Sequence, residues 1–193
     1  STHYDIKNFD LDDIDADWLY ITSMAGNVDI IDKIFNQAKS LGAKVFFNPG
    51  KGELAQTDKL KALLEDVDVL SVNKEEAQML VSGDKSEELI RRLLNYVPVV
   101  IISDGPNGVT ASDSKTIVRA GMYEDVKVVD RTGAGDAFGS GFLSQWAQNR
   151  SLKDSIVFAS ANSTSVVTKI GAKAGILHKG IKLHAMPLTE KPF

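Results

Sequence analysis

Beginning at Asp17, the chain alternates short apolar runs with longer stretches of three- and four-residue hydrophobic spacing. Trp18-Leu19-Tyr20-Ile21-Thr22-Ser23 is an aromatic and β-branched run ended by small polar residues, the pattern of a buried strand. Ile30, Ile31, Ile34, Phe35, Ala38 and Leu41 then recur at helical spacing, and Gly42 stands where a helix-ending glycine belongs. The rhythm repeats: strand over 43–48, helix over 54–64, strand over 67–72, helix over 74–81, helix over 87–94 and strand over 97–103. The last strand is nearly all apolar, as a parallel strand covered on both faces is. Strands alternating with helices predict a parallel sheet. Beyond Ser103, glycines at 105 and 108 bracket a turn, and segments 109–112, 116–120 and 126–129 follow without helices between them, predicting antiparallel hairpins. Two long helical patterns, 135–148 and 152–169, close the chain, with Ser151 as N-cap. The first fifteen residues, five of them Asp, read as peripheral, and the polar tail after Leu188 reads as loose.

The 193 residues, 43% hydrophobic and 25% charged, fit one globular domain of α/β class and exclude a disordered or low-complexity chain. The net charge of −4 gives no polyelectrolyte attraction to nucleic acid or anionic lipid. No apolar run approaches the ~20 residues that span a bilayer, and the acidic start is no signal peptide, so a cytoplasmic protein is expected. Having no cysteine removes disulfides, zinc-thiolate sites and thiol nucleophiles, and the three histidines lack the spacing of a metal cluster. Any site must work with carboxylates, amides and backbone.

The most informative stretch is Val128-Val129-Asp130-Arg131-Thr132-Gly133-Ala134-Gly135-Asp136-Ala137-Phe138-Gly139-Ser140-Gly141, which runs from a predicted strand through a glycine turn into a helix. A helix start leaves backbone N–H groups unpaired and carries partial positive charge, and Gly133, Ala134 and Gly135 have almost no side chain to block an anion. Asp136, in the first turn, is placed to take a proton from a hydroxyl beside a transferring phosphoryl group. The same residues also fit a plain tight turn with an acidic residue complementing the helix dipole. The stretch is neither a Walker A loop nor a G-x-G-x-x-G fingerprint, since no Gly-Lys-Ser/Thr follows and Phe138 takes the third glycine's place.

Residues 130–141 resemble the C-terminal signature of the ribokinase-like (PfkB) carbohydrate kinases, Asp-Thr-x-Gly-Ala-Gly-Asp, with Arg131 where the family usually has Thr or Ser. Three further segments, in the family's order, carry the resemblance. Asn73-Lys74-Glu75-Glu76 is similar to its Asn-x-x-Glu motif, and Ser103 to Val109 to its strand-Gly-x-x-Gly-Val loop. The stretch 158–172 is similar to its penultimate helix and the Gly-Ala that ends it.

The resemblance implies a three-layer ribokinase-like fold with a mostly parallel sheet flanked by helices. It also implies an ATP-dependent, Mg2+-requiring kinase that phosphorylates a hydroxyl of a sugar or similar small alcohol. Asp136 would be the base, and Gly133, Ala134 and Gly135 the anion hole. Asn73 and Glu76 would organise magnesium, through water, and the phosphates; Gly105 and Gly108 would approach the nucleotide, and Asn162 would face the adenine. Asp130, Thr132 and Gly171 match the positions of a monovalent-cation site, with K+ as the expected ion. Each has a plainer reading as well: an Asn helix cap, an Asp-Gly turn, and a helix of small residues packed closely.

The resemblance covers only the middle and C-terminal parts of the family. The upstream glycine-glycine signature, the first strands of the sheet, the substrate-binding aspartate and the β-sheet lid have no counterpart here. Residues 1–193 are therefore expected to be the nucleotide-binding and catalytic portion of a longer chain, binding nucleotide better than they turn it over. An unpaired sheet edge in such a portion invites self-association, and a homodimer is a candidate state. The rival readings are a non-catalytic nucleotide-binding module derived from such a kinase, and a nucleoside kinase.

Overall fold

The computed structural model describes residues 15–193 apart from 122, 124, 125, 179 and 184, so the peripheral reading of the N-terminal stretch lies almost wholly outside the described residues. The chain divides into two compact units, one ending at Ser103 and the other beginning at Asp104.

The first unit is built of β-α crossovers. Strands β1 (Trp18–Ile21), β2 (Lys44–Phe47), β3 (Val69–Asn73) and β4 (Val99–Ser103) lie side by side in that order, all parallel. The crossover from β1 to β2 is α1 (Val28–Leu41). Asn27 caps it by accepting from the Ile30 amide at 3.2 Å, and Gly42 ends it at φ 69°, a left-handed conformation that costs glycine nothing. Helices α2 (Lys51–Leu54) and α3 (Thr57–Leu63) lead to β3; α4 (Lys74–Leu80) and α5 (Ser86–Leu93) lead to β4.

Alternation along the strands sends Val45, Phe47, Leu70, Val72, Val100 and Ile102 into one cluster with Ile30, Ile34 and Phe35 of α1, Leu60, Leu80 and Leu89. Phe35 meets Phe47 edge-on at 5.2 Å between ring centroids. The residues between them, Phe46, Val69 and Ile101, are fully buried too. That is why these strands read as unbroken apolar runs rather than alternating ones.

The single helix expected over 54–64 is broken at Ala55–Gln56. Here the Gln56 side chain donates to the Gly26 carbonyl at 2.6 Å, and the Thr57 hydroxyl to the Leu54 carbonyl at 2.8 Å. Side chains that bond the backbone in this way compete with a continuous helix.

In the second unit, β5 (Val109–Ser112) and β6 (Thr116–Ala120) form an antiparallel hairpin. Asp113 closes its turn by accepting from the amides of Lys115 and Thr116. The other neighbour of β6 is β7 (Leu188–Pro192), antiparallel, from the tail read as loose. Segment 126–129 is not a strand: the Val129 amide donates to the Val167 carbonyl at 2.8 Å, tying it to the end of a helix instead.

Two helices complete the unit, α6 (Ala134–Trp146) and α7 (Leu152–Val167), the latter packed on β5 and β6 and capped by Ser151, whose hydroxyl accepts from the Asp154 amide at 3.0 Å. Small residues bring the pair together. A Cβ on Gly141 would sit 3.2 Å from Ala159 and Asn162. No helix among the described residues is long and apolar enough to cross a membrane.

Candidate functional site

The start of α6 is shaped by Gly133, which holds φ 79° as its N-cap. The left-handed conformation disfavours any other residue. A Cβ here would also lie 2.7 Å from the backbone and side chain of Ala172. Space and conformation therefore both select glycine. Gly135 is the opposite case: helical, exposed, with nothing within 4 Å of a notional Cβ. Asp136 follows, exposed in the first turn.

The amide of Ala134 is used internally, donating to the Arg131 carbonyl at 3.2 Å. The amides of Gly133, Gly135 and Asp136 have no acceptor among the described residues. Of the three residues expected to form an anion hole, Ala134 thus spends its amide on closing the turn, while Gly133 and Gly135, and Asp136 beside them, keep theirs open. Arg131, which departs from the family pattern, is exposed beside this turn.

Asp130 stitches the turn to the segment after α7. Its carboxylate accepts from the Thr132 amide at 2.9 Å and the Gly171 amide at 3.0 Å. Bonds from the Thr132 amide and hydroxyl, then from Gly171, hold its pKa below the usual value. The structure does bring Asp130, Thr132 and Gly171 together. Gly171 gives its amide to that carboxylate, and its carbonyl accepts from the Ala174 amide at 3.3 Å.

Asn162 is buried, and both ends of its side chain are engaged. Nδ2 donates to the Ala137 carbonyl at 2.7 Å, and Oδ1 accepts from the Leu177 amide at 2.8 Å. It is a strut between α6 and the segment beyond α7, with one Nδ2 hydrogen to spare, and this geometry does not favour the adenine contact the resemblance implies. The Ser163 hydroxyl does similar work, donating to the Ala134 carbonyl at 2.9 Å.

Asn73 and Glu76 form a reciprocal capping box at the start of α4. Asn73 Oδ1 accepts from the Glu76 backbone amide and Glu76 Oε2 accepts from the Asn73 backbone amide, each at 2.8 Å. The plainer reading is therefore met in full. Asn73 Nδ2 and Glu76 Oε1 carry no further bond among the described residues, and both residues are half-buried at the carboxyl end of β3.

The two loop glycines differ. A Cβ on Gly108 would strike the Ala120 carbonyl oxygen at 2.1 Å, so packing alone requires glycine, whereas Gly105 at φ 50° opens to solvent. Among the described residues no three His, Cys, Asp or Glu side chains gather as a metal site.

Glu53 escaped the sequence reading. It is fully buried in α2, with its carboxylate on four donors: the Met24 and Gly26 amides at 2.7 Å, and the Ser23 hydroxyl and Gly50 amide at 2.9 Å. Burial pushes its pKa up, but the bonds from the Gly26, Glu53 and Met24 amides and the Ser23 hydroxyl outweigh this and hold it below the ordinary value. The signal available was weak: a lone glutamate four residues after Asn48-Pro49, among glycines.

Glu53 and Asp130 both release protons more readily in the folded chain than in the unfolded one. Their stabilisation is fully present above the unfolded carboxyl pKa of about 4 and is lost as pH falls through the lowered folded values. The melting temperature is expected to fall with acidification below about pH 4.5, less steeply in Glu53→Gln. Identical acid slopes in thermal melts of both proteins would exclude Glu53 as a source.

Parallel strands joined by helical crossovers, followed by a helix that starts on glycine-flanked amides, define a ribokinase-like α/β protein. Residues 4–179 match the pfkB family of carbohydrate kinases, and the chain belongs to that family. It is 32% identical over 114 residues to an ATP-dependent 6-phosphofructokinase of Thermoanaerobacterium thermosaccharolyticum, covering 58% of this chain and 35% of that protein. To a ribokinase of Lactococcus lactis it is 30% identical over 138 residues, covering 72% and 43%.

A solved nucleoside kinase of Methanocaldococcus jannaschii superposes with a TM-score of 0.75 at 24% identity, over 89% of this chain and 56% of that one. An E. coli protein assigned as ribokinase II, in complex with ATP and Mg2+, superposes with a TM-score of 0.73 at 24% identity, over 83% and 55%. The two solved structures establish the fold alone. The chain spans between 35% and 43% of the length of these two curated relatives.

Proposed function

We propose that this chain is the nucleotide-binding and catalytic portion of an ATP-dependent kinase that phosphorylates a hydroxyl of a sugar or similar small alcohol. The observation that carries the reading is the start of α6. A turn that only glycine can make leaves the amides of Gly133, Gly135 and Asp136 without internal acceptors and sets an exposed carboxylate in the same turn. Open amides suit the negative charge of a transferring phosphoryl group. Asp136 takes the proton of the acceptor hydroxyl as that oxygen bonds phosphorus and the bond to the bridging oxygen of the nucleotide breaks.

When bound, a magnesium ion neutralises charge on the donor's phosphate oxygens. One carboxylate oxygen without a partner, Glu76 Oε1, fits a largely water-shelled ion rather than a protein cage, and Asn73 Nδ2 is a donor suited to phosphate or a bound water. No step depends on potassium at residues 130, 132 and 171.

The test is transfer of labelled γ-phosphate to a panel of sugars, nucleosides and other small alcohols, using the protein that carries this chain. Phosphorylation of at least one sugar or small alcohol is expected. ATP binding with no transfer to any acceptor would instead favour a non-catalytic nucleotide-binding module. The committed side chains of Asn162, Asn73 and Glu76 speak for that second reading.

A further inference from the structure

We propose that Glu53 is a positioning residue for the phosphoryl acceptor: its buried carboxylate fixes the Ser23–Gly26 turn at the carboxyl ends of the parallel strands, where the alcohol binds. This rests on the kinase reading above.

The turn between β1 and α1 is unusual in having two successive left-handed residues, Ala25 at φ 55° and Gly26 at φ 84°. Alanine is disfavoured in that conformation because its Cβ crowds the following carbonyl oxygen, so something must hold it. Glu53 does so from below. Oε1 takes the amides of Met24 and Gly26, while Oε2 takes the Ser23 hydroxyl and the Gly50 amide, joining the β1–α1 turn to the β2–α2 turn. Gln56 fixes the other side of the same turn through the Gly26 carbonyl. Glycine is required where the two turns touch, because a Cβ on Gly52 would lie 2.8 Å from Gly26 Cα, and one on Gly50 would lie 2.5 Å from the Ser23 hydroxyl oxygen.

A buried carboxylate is a costly way to pack a core, and it persists only where its acceptor positions are filled. Here they are filled by a surface turn: Ser23 and Ala25 are exposed. The clamp therefore confers rigidity on a solvent-facing rim rather than filling space. In sheets of this kind, ligands bind outside the carboxyl ends of the strands. With the magnesium and phosphates assigned to Asn73 and Glu76 at the end of β3, the rim on the side away from β4 belongs to β2 and β1, at about 5 and 10 Å by strand spacing. An acceptor must lie beside the phosphate it attacks, and a rigid turn spares it the entropic cost of ordering its own site.

The experiment uses Glu53→Gln in the protein that carries this chain. The acceptor KM is expected to rise about 10–100-fold, with kcat and the KM for ATP within about threefold of the original. Amide exchange at Met24 and Gly26 should accelerate about 100-fold while exchange in α7 stays unchanged. Ser23→Ala, at an exposed position, covers the case in which Glu53→Gln does not fold. It removes one donor and should raise the acceptor KM about three- to tenfold at nearly constant melting temperature.

An unchanged acceptor KM in a folded variant overturns the proposal, as does an equal loss toward both substrates. If the unaltered protein phosphorylates no alcohol, the kinase reading fails and takes the acceptor role with it. Amide exchange would still show whether the clamp exists, so the two failures are distinguishable.

Discussion

Replacing Asp136 by asparagine in the protein that carries this chain lowers kcat by ~10²–10⁴-fold while the dissociation constant for ATP changes by less than about threefold. The expectation follows from what the side chain does and does not touch. Asp136 is exposed in the first turn of α6, and no residue among those described uses its carboxylate. Asparagine keeps the shape and the backbone N–H, and with them the anion seat, but has no basic oxygen to receive the hydroxyl proton. Because the carboxylate holds nothing else in place, the folded structure should be unaltered, and thermal melting serves as the control. Turnover equal to that of the unaltered protein would remove Asp136 from the mechanism.

The two glycines flanking Ala134 should respond oppositely to the same substitution. Gly133→Ala places a methyl group 2.7 Å from Ala172 in a left-handed backbone, combining about 1–2 kcal/mol of conformational strain with about 1–3 of overlap. A total near 3 kcal/mol is a large share of a typical domain's stability, and denaturant melts should show it plainly. Gly135→Ala meets nothing and sits in helical conformation, so it should stabilise the fold by about 0.5–1 kcal/mol. Its cost appears only with nucleotide present. The methyl group stands beside the open amides, and losing one charge-assisted bond weakens ATP binding about 10–100-fold. If Gly135→Ala binds ATP normally, the phosphate does not sit at the start of α6.

The crossovers of the first unit were legible because β2, β3 and β4 are buried on both faces and α1 buries a stripe, so pattern and environment coincide. Legibility failed where a segment is mostly exposed. Strand β7, Leu-Thr-Glu-Lys-Pro, is mostly exposed and among the described residues pairs with β6 alone, so nothing there imposes apolar alternation on it. Its charges and proline suit an unpaired outer side. Val128 and Val129 have the β-branched character of a strand, yet both are exposed, and the Val129 and Asp130 amides go to the Val167 carbonyl. Propensity pointed to a sheet; the need to enter the glycine turn decided otherwise.

The site divides in the same way. Gly133, Gly135 and Asp136 could be read from their order because backbone geometry follows directly from glycine. The commitments of Asn162 and Glu53 could not, since their partners lie far along the chain and only the folded arrangement discloses them.

The pairing of β6 with β7 also bears on the order of assembly. The ladder, with the bond from the Gly121 amide to the Pro187 carbonyl at 2.8 Å, closes the long loop of chain that carries α6 and α7. Closing so long a loop is entropically slow, whereas the β5–β6 hairpin is local and quick to form. The hairpin therefore forms ahead of the longer closure, and docking of residues 188–192 on β6 becomes the step that locks the helix pair.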